Sequence, residues 1–184
     1  MLVKDIIKLS CDFLDKSELA EKISSSSYSL SEEESKEIAS LEKCFNLVRE
    51  EIALELLPSV KVDKVKSQNL KVPFTLLSSQ PINIFAVKDL TGRTVKHRIM
   101  QDYIVVFANE VEIWYTSKPE KLAIKDKFSS ILPERIYAYG VAREYYIKKS
   151  LYNDAKIWEE RFKNSVEMLE PKKSGRSLPR RRWL

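Results

Sequence analysis

The chain has 184 residues, 43% hydrophobic and 32% charged, with 32 basic and 27 acidic residues and a net charge of +5. This length supports one core, or a core with a small subdomain, and no apolar run approaches the ~20 residues of a bilayer-spanning helix. Met1-Leu2-Val3-Lys4-Asp5 lacks the pattern of a signal peptide, which predicts a cytosolic protein with no membrane partner. The 3 glycines, at 92, 140 and 175, leave no glycine-rich phosphate-binding loop.

The first segment reads as an amphipathic helix. Leu2, Ile6, Leu9 and Phe13 form its stripe, with Ile7 and Leu14 beside it. A short helical piece, Ser17 to Ile23, follows, and Ser24 to Ser27 is a polar connector. Ser31 with Glu34 three residues on is a capping box, and Glu32 and Glu33 suit the positive end of the helix dipole. The helix they start carries Ile38, Leu41, Phe45, Val48, Ile52 and Leu56, with Cys44 and Leu47 adjoining, and Pro58 ends it.

From Ser59 the apolar period becomes two. Val60 and Val62 alternate with Lys61 and Asp63. Leu70, Val72, Phe74 and Leu76 alternate with Lys71, Pro73 and Thr75, and Ile82, Ile84 and Ala86 repeat the pattern. Asp89-Leu90-Thr91-Gly92 reads as a turn, and Val95 and Ile99 lie on a polar strand after it. Tyr103 to Ala108 is continuously apolar, which predicts a strand buried on both faces. Asn109-Glu110 predicts a tight turn into Val111, Ile113 and Tyr115. Five or six antiparallel strands are expected, with Pro73 at an edge or a bulge.

Helical spacing then returns. Pro133 fits a first helical turn, and Ile136, Tyr137, Gly140, Val141 and Tyr145 line the buried face. Glycine inside a helix costs about 0.5–1 kcal/mol relative to alanine, so Gly140 predicts close approach of another helix. A break at Ser150 to Asn153 precedes a last helix with the stripe Trp158, Phe162, Ser165, Val166 and Leu169, closed by Pro171. The expected fold class is α+β: a four-helix-type bundle from the N- and C-terminal helical pairs, an inserted antiparallel β subdomain, and an extended basic C-terminal tail. The expected divisions are 1–58, 59–130, 131–170 and 171–184.

Residues 171–184 hold six basic residues, Lys172, Lys173, Arg176, Arg180, Arg181 and Arg182, and no acidic ones. Of the 32 basic residues these six lie in the tail, leaving 26 against 27 acidic in a nearly neutral body. Three readings are open: a solvated extension, nonspecific nucleic-acid binding, or a docking peptide. The bulky Trp183 and Leu184 beside the arginines favour docking, since Arg with Trp is interface chemistry. Tyr139, Tyr146 and Tyr152 fall off the helical stripes and are candidates for an exposed contact surface.

Little points to catalysis. His97 has no second histidine or cysteine at metal-ligand spacing, and no GxSxG supports a nucleophilic serine. Cys11 and Cys44 read as two buried thiols. Glu32-Glu33-Glu34, Glu50-Glu51 and Glu159-Glu160 read as solvated helix faces. No catalytic, cofactor or metal residue is assigned, and no enzyme is expected.

Leu132–Tyr146, LPERIYAYGVAREYY, resembles a pattern in small neck proteins of tailed bacteriophages, a proline-started helix of the form LPE…AYGxAxEYY. Ala155–Val166, AKIWEERFKNSV, is similar to their A..WxxRFxxAL helix. VxDIIxxSxxFL near the N-terminus and LxxCxNLVxxEIA from Leu41 also fit, and the order helices, β insert, helices is similar to head-to-tail connector (adaptor or gatekeeper) ring proteins. The resemblance covers most of residues 1–170. It implies a structural protein of the virion neck, assembled in the host cytoplasm. Its partners would be the portal protein, copies of itself in a ring (commonly a dodecamer), and the tail or next neck protein. DNA would pass through the channel without sequence-specific binding. Family tails vary, so no role carries over to the tail residue by residue. The expectation for Lys172, Lys173, Arg176, Arg180, Arg181, Arg182, Trp183 and Leu184 is contact with the portal or a neighbouring subunit. The alternative is a small nucleic-acid-binding protein using the same arm.

Overall fold

The computed structural model describes residues 1–25 and 30–168. Over these residues the chain is mixed α+β, with five α-helices and two small antiparallel sheets.

Helix α1 spans Val3–Phe13 and α2 spans Ser17–Ser24. The buried face of α1 is Val3, Ile6, Ile7, Ser10 and Cys11, rotated from the expected stripe; Leu2, Leu9 and Phe13 are half-buried. Two local bonds account for the rotation. Leu2 is held in a bridge with Lys127, and Val3 N donates to the Asp126 carbonyl at 3.1 Å, which fixes the helix start. Ser10 tolerates full burial because its hydroxyl donates to the Ile6 carbonyl at 2.8 Å.

Helix α3, Glu32–Glu51, begins at the expected capping box. Glu34 N donates to Ser31 Oγ at 3.2 Å, and Ser31 N donates to the Glu34 carboxylate at 2.9 Å. It continues into a π-helical turn, Ile52–Leu56, before Pro58. Ile38, Leu41, Cys44, Phe45, Val48 and Ile52 are buried, while Leu47 is exposed. Helix α4, Glu134–Lys148, follows Pro133, and α5 spans Tyr152–Glu167.

The middle helix, α4, packs against α1, α3 and α5, so every residue from Ile136 to Arg143 is buried. This corrects the expectation for Tyr139. A one-sided helix would have left it outside, but here its ring joins a three-ring cluster, stacked on Phe13 at 5.3 Å and tilted against Trp158 at 5.7 Å, with Phe13 and Trp158 5.1 Å apart. Tyr146 is half-buried, and Tyr152 is exposed. Gly140 performs the expected close approach: a Cβ there would stand 2.5 Å from Val48 Cγ1 and 2.9 Å from Cγ2.

The six strands are β1 (Val60–Lys66), β2 (Lys71–Pro73), β3 (Pro81–Lys88), β4 (His97–Ile99), β5 (Tyr103–Val106) and β6 (Glu110–Ser117). They form one sheet in the order β1-β6-β3 and another in the order β2-β5-β4, all antiparallel. Pro73 closes β2, an edge strand, where a missing N–H costs no ladder bond. The Asp89 turn forms as expected: its carboxylate accepts from Thr91 N and Arg93 N, both at 2.9 Å, and Gly92 takes φ +84°.

Two strand expectations fail. Tyr103 to Ala108 is not buried on both faces: Ile104 and Val106 point inward, Tyr103 and Val105 are half-buried, and Phe107 is exposed. The chain turns at Asn109 as expected, but β5 and β6 belong to different sheets, so the turn is a corner that carries the chain from one sheet to the other.

The sheets enclose their own core of Val72, Val87, Ile104, Val106, Val111, Ile113 and Tyr115. The helices build a second core, and Leu122, Ile124 and Phe128 of the return segment pack against that one. Asn46 holds this segment with both ends of its amide: Nδ2 donates to the Leu122 carbonyl at 2.8 Å, and Oδ1 accepts from Leu122 N at 2.9 Å. Ile124 N adds a bond to the Glu42 carboxylate at 2.7 Å.

Candidate assembly surface

The eight tail residues expected to contact a partner, Lys172, Lys173, Arg176, Arg180, Arg181, Arg182, Trp183 and Leu184, lie outside the described residues. Among the described residues the surface with the clearest interaction chemistry is the outer face of the β1-β6-β3 sheet.

Strand β6 sets that face. Val111, Ile113 and Tyr115 point into the sheet core, which turns Glu110, Glu112 and Trp114 outward, while Thr116 on the same alternate is buried. Directly opposite pairs share a face. Val60, Val62, Lys64 and Lys66 of β1 oppose Thr116, Trp114, Glu112 and Glu110, so they point outward too. On β3, Ala86 and Lys88 oppose Trp114 and Glu112. The face is divided along its length. One end carries the cross-strand pairs Lys64–Glu112, 3.1 Å, and Lys66–Glu110, 3.0 Å. The other end is apolar: Val60 and Val62 stand 45% and 43% exposed beside Trp114. Register shifts in β3 flank Ile82 and Phe85, which are 55% and 49% exposed.

This overturns the sequence pattern of β1, where Val60 and Val62 formed the apolar alternate. The inward positions are Lys61, Asp63 and Val65 instead. Asp63 is drawn in by hydrogen bonds: it accepts from Ser78 N at 2.6 Å, from Ser78 Oγ at 3.0 Å and from Tyr115 OH at 2.7 Å. Burial would raise its pKa, but these donors outweigh it and hold the carboxyl below its ordinary value of 3.8. Lys61 reaches Ser79 Oγ on the same side at 2.5 Å.

Trp114 is the centre of the outer face. The Lys88 ammonium lies 4.4 Å from its ring centroid. Its indole Nε1 is buried and has no acceptor among the described residues. Leu70, Leu76, Leu90, Ile99, Met100 and Phe107 extend exposed apolar area over the rest of the β region.

The groups weighed for chemistry take structural places. No cluster of His, Cys, Asp and Glu among the described residues could hold a metal ion. Burial pushes the Cys11 thiol up to about 12 and the Cys44 thiol up to about 11, so neither is a nucleophile at neutral pH. His97 is half-buried, with Nδ1 3.1 Å from the Val95 carbonyl oxygen.

The carboxylate faces need one correction. Glu51 and Glu159 turn from solvent onto Arg143, which is 6% exposed. The guanidinium donates to both oxygens of Glu51, to Glu159 at 2.8 Å and to Glu144 at 2.7 Å, and lies 5.0 Å from the Phe162 ring centroid. Burial opposes its charge, yet these carboxylates raise its pKa overall. Arg143 is the one charged residue in the buried run Ile136–Arg143, and that position was the signal for this cluster.

No family model matches this sequence, and no curated protein matches it. No described helix is long and apolar enough to cross a membrane.

Proposed function

We propose that this protein is a nonenzymatic connector of a tailed phage or prophage, a ring beneath the portal that joins it to the tail. The observation that carries the reading is the outer sheet face, where Val60 and Val62 stand exposed beside Trp114. A small sheet that shows this much apolar surface is suited to be covered by another chain, and its charged end supplies register. The helices serve as a four-helix-type bundle that forms the ring body. Residues 171–184 dock on the portal, with Arg180, Arg181, Arg182 and Trp183 buried in the contact.

The test is electron microscopy of the purified protein, alone and mixed with portal rings. The expected result is a ring with a central channel, weakened at least tenfold in assembly by Val62→Asp, since an unpaired charge at a covered apolar site costs more than about 1.4 kcal/mol. A protein that stays monomeric and ignores the portal at every concentration overturns the reading. Removal of 171–184 abolishes portal binding; undiminished binding by the truncated chain defeats the docking role. The six basic tail residues also favour a second reading, nucleic-acid binding. That reading requires DNA binding that falls steeply with salt.

A further inference from the structure

The chain passes from helices to sheets at Leu57–Ser59 and returns at Ser117–Pro119. A cavity of about 420 Å³ opens at this crossing. Ile52 and Leu57 form one wall, Phe128 and Ser130 of the return segment another, and Tyr137 of α4 with Arg49 of α3 complete it. The volume and the mostly apolar lining with a few polar groups match an organic ligand site.

Arg49 is the unusual group. Its guanidinium lies 5.3 Å from the Phe128 ring centroid, and Nη1 donates to the Glu120 carbonyl at 2.5 Å. Among the described residues no carboxylate comes within ion-pair distance of it, whereas Arg143 has three. It is half-buried, and burial lowers its pKa, with only longer-range compensation from Tyr137 and Glu120. A guanidinium has five N–H donors in a planar fork, which a carboxylate engages in pairs. One carbonyl leaves most of that fork unused. The hydroxyls of Ser130 and Tyr137, 2.8 Å apart, add polar atoms to the same cavity.

We propose that this cavity receives a glutamate or aspartate side chain, flanked by an apolar residue, from a segment of a partner protein. The charge is complementary to Arg49. The apolar surface also continues beyond the cavity, because Ile131 and Leu57 at its rim are 83% and 36% exposed. A small free anion would leave that rim wet, while a peptide covers it. The inference stands apart from the connector reading, since neither portal nor ring enters the test.

The full chain, labelled with ¹⁵N, is titrated with acetyl-Leu-Glu-Leu-amide, its Gln counterpart and hexanoate. The Glu peptide is expected to shift the Arg49 Nε and Ser130 amide resonances and to bind roughly tenfold more tightly than the Gln peptide, as a charge-assisted pair allows. Arg49→Met removes that preference. Arg49→Lys, which keeps the charge but not the fork, reduces it at least threefold and serves if the Met variant does not fold. The proposal is overturned if neither peptide binds, if both bind equally, or if the preference survives the Arg49 variants. Hexanoate binding as tightly as the Glu peptide also overturns it, since the site would then serve a small acid.

Discussion

At the scale of single residues, Gly140 and Arg143 set the tightest constraints. Gly140→Ala gains about 0.5–1 kcal/mol of helix propensity, but the new methyl meets Val48 Cγ1 at 2.5 Å. Overpacking of a core costs typically 1–3 kcal/mol, so the expected outcome is a net loss of about 1–2 kcal/mol in urea unfolding. Val48→Ala should relieve that loss when combined with Gly140→Ala, and a double-mutant cycle measures the coupling. Arg143→Met strips three carboxylates of their shared cation, and breaking a buried pair costs about 3–5 kcal/mol. Both cysteines should resist a thiol reagent at pH 8 until the protein unfolds, because burial has pushed their pKa values up to about 12 and about 11. The role of Gly140 was legible because a helix tolerates glycine only for a reason. That of Arg143 was missed because its partners, Glu51 and Glu159, come from two other helices.

At the scale of elements, local signals in the sequence fix where an element starts and stops more firmly than which face it buries. The Ser31 capping box, the Pro58 stop and the Asp89 turn are set by neighbours in sequence, so they appear where the spacing placed them. Ser31→Ala should cost about 1 kcal/mol, read as a lower urea midpoint with an unchanged slope. The β1 strand shows the limit of pattern. Its valines looked inward, but Tyr115 and Ser78, 52 and 15 residues away, hold Asp63 inside. Alternation gives two faces and does not say which one a distant hydroxyl will choose. The candidate assembly face was hidden for that reason, and the tail singled out by composition lies outside the described residues.

At the scale of the molecule, acid should undo several elements together. For Glu37, burial would raise the pKa, but hydrogen bonds from Lys16 and Tyr145 hold it below its ordinary 4.5. For Glu159, hydrogen bonds from Lys163 and Arg143 likewise overcome burial and hold it below 4.5. Asp63, half-buried on the inner side of β1, is held below 3.8 by hydrogen bonds from Ser78 and Tyr115 that overcome burial. A carboxyl depressed on folding contributes stability that is complete above its unfolded pKa and lost as pH falls through its folded one. Unfolding free energy should therefore decline as pH drops below the range 3.8–4.5. Arg143→Met should flatten that decline in a series of urea melts.

The return segment has a mechanical consequence. If the sheet region were pulled away from the helices, tension would enter the helical part through two peptides, at Pro58 and Pro119. Past Pro119 it would meet the Arg49–Glu120 bond first, then the Asn46–Leu122 pair, then the Glu42–Ile124 bond, then the Val3–Asp126 bond and the bridge from Leu2 to Lys127. These fastenings load one after another, so they yield like a seam. Asn46→Ala should lower the force at which the sheet region detaches in an optical trap and leave the unfolding of the sheets themselves unchanged.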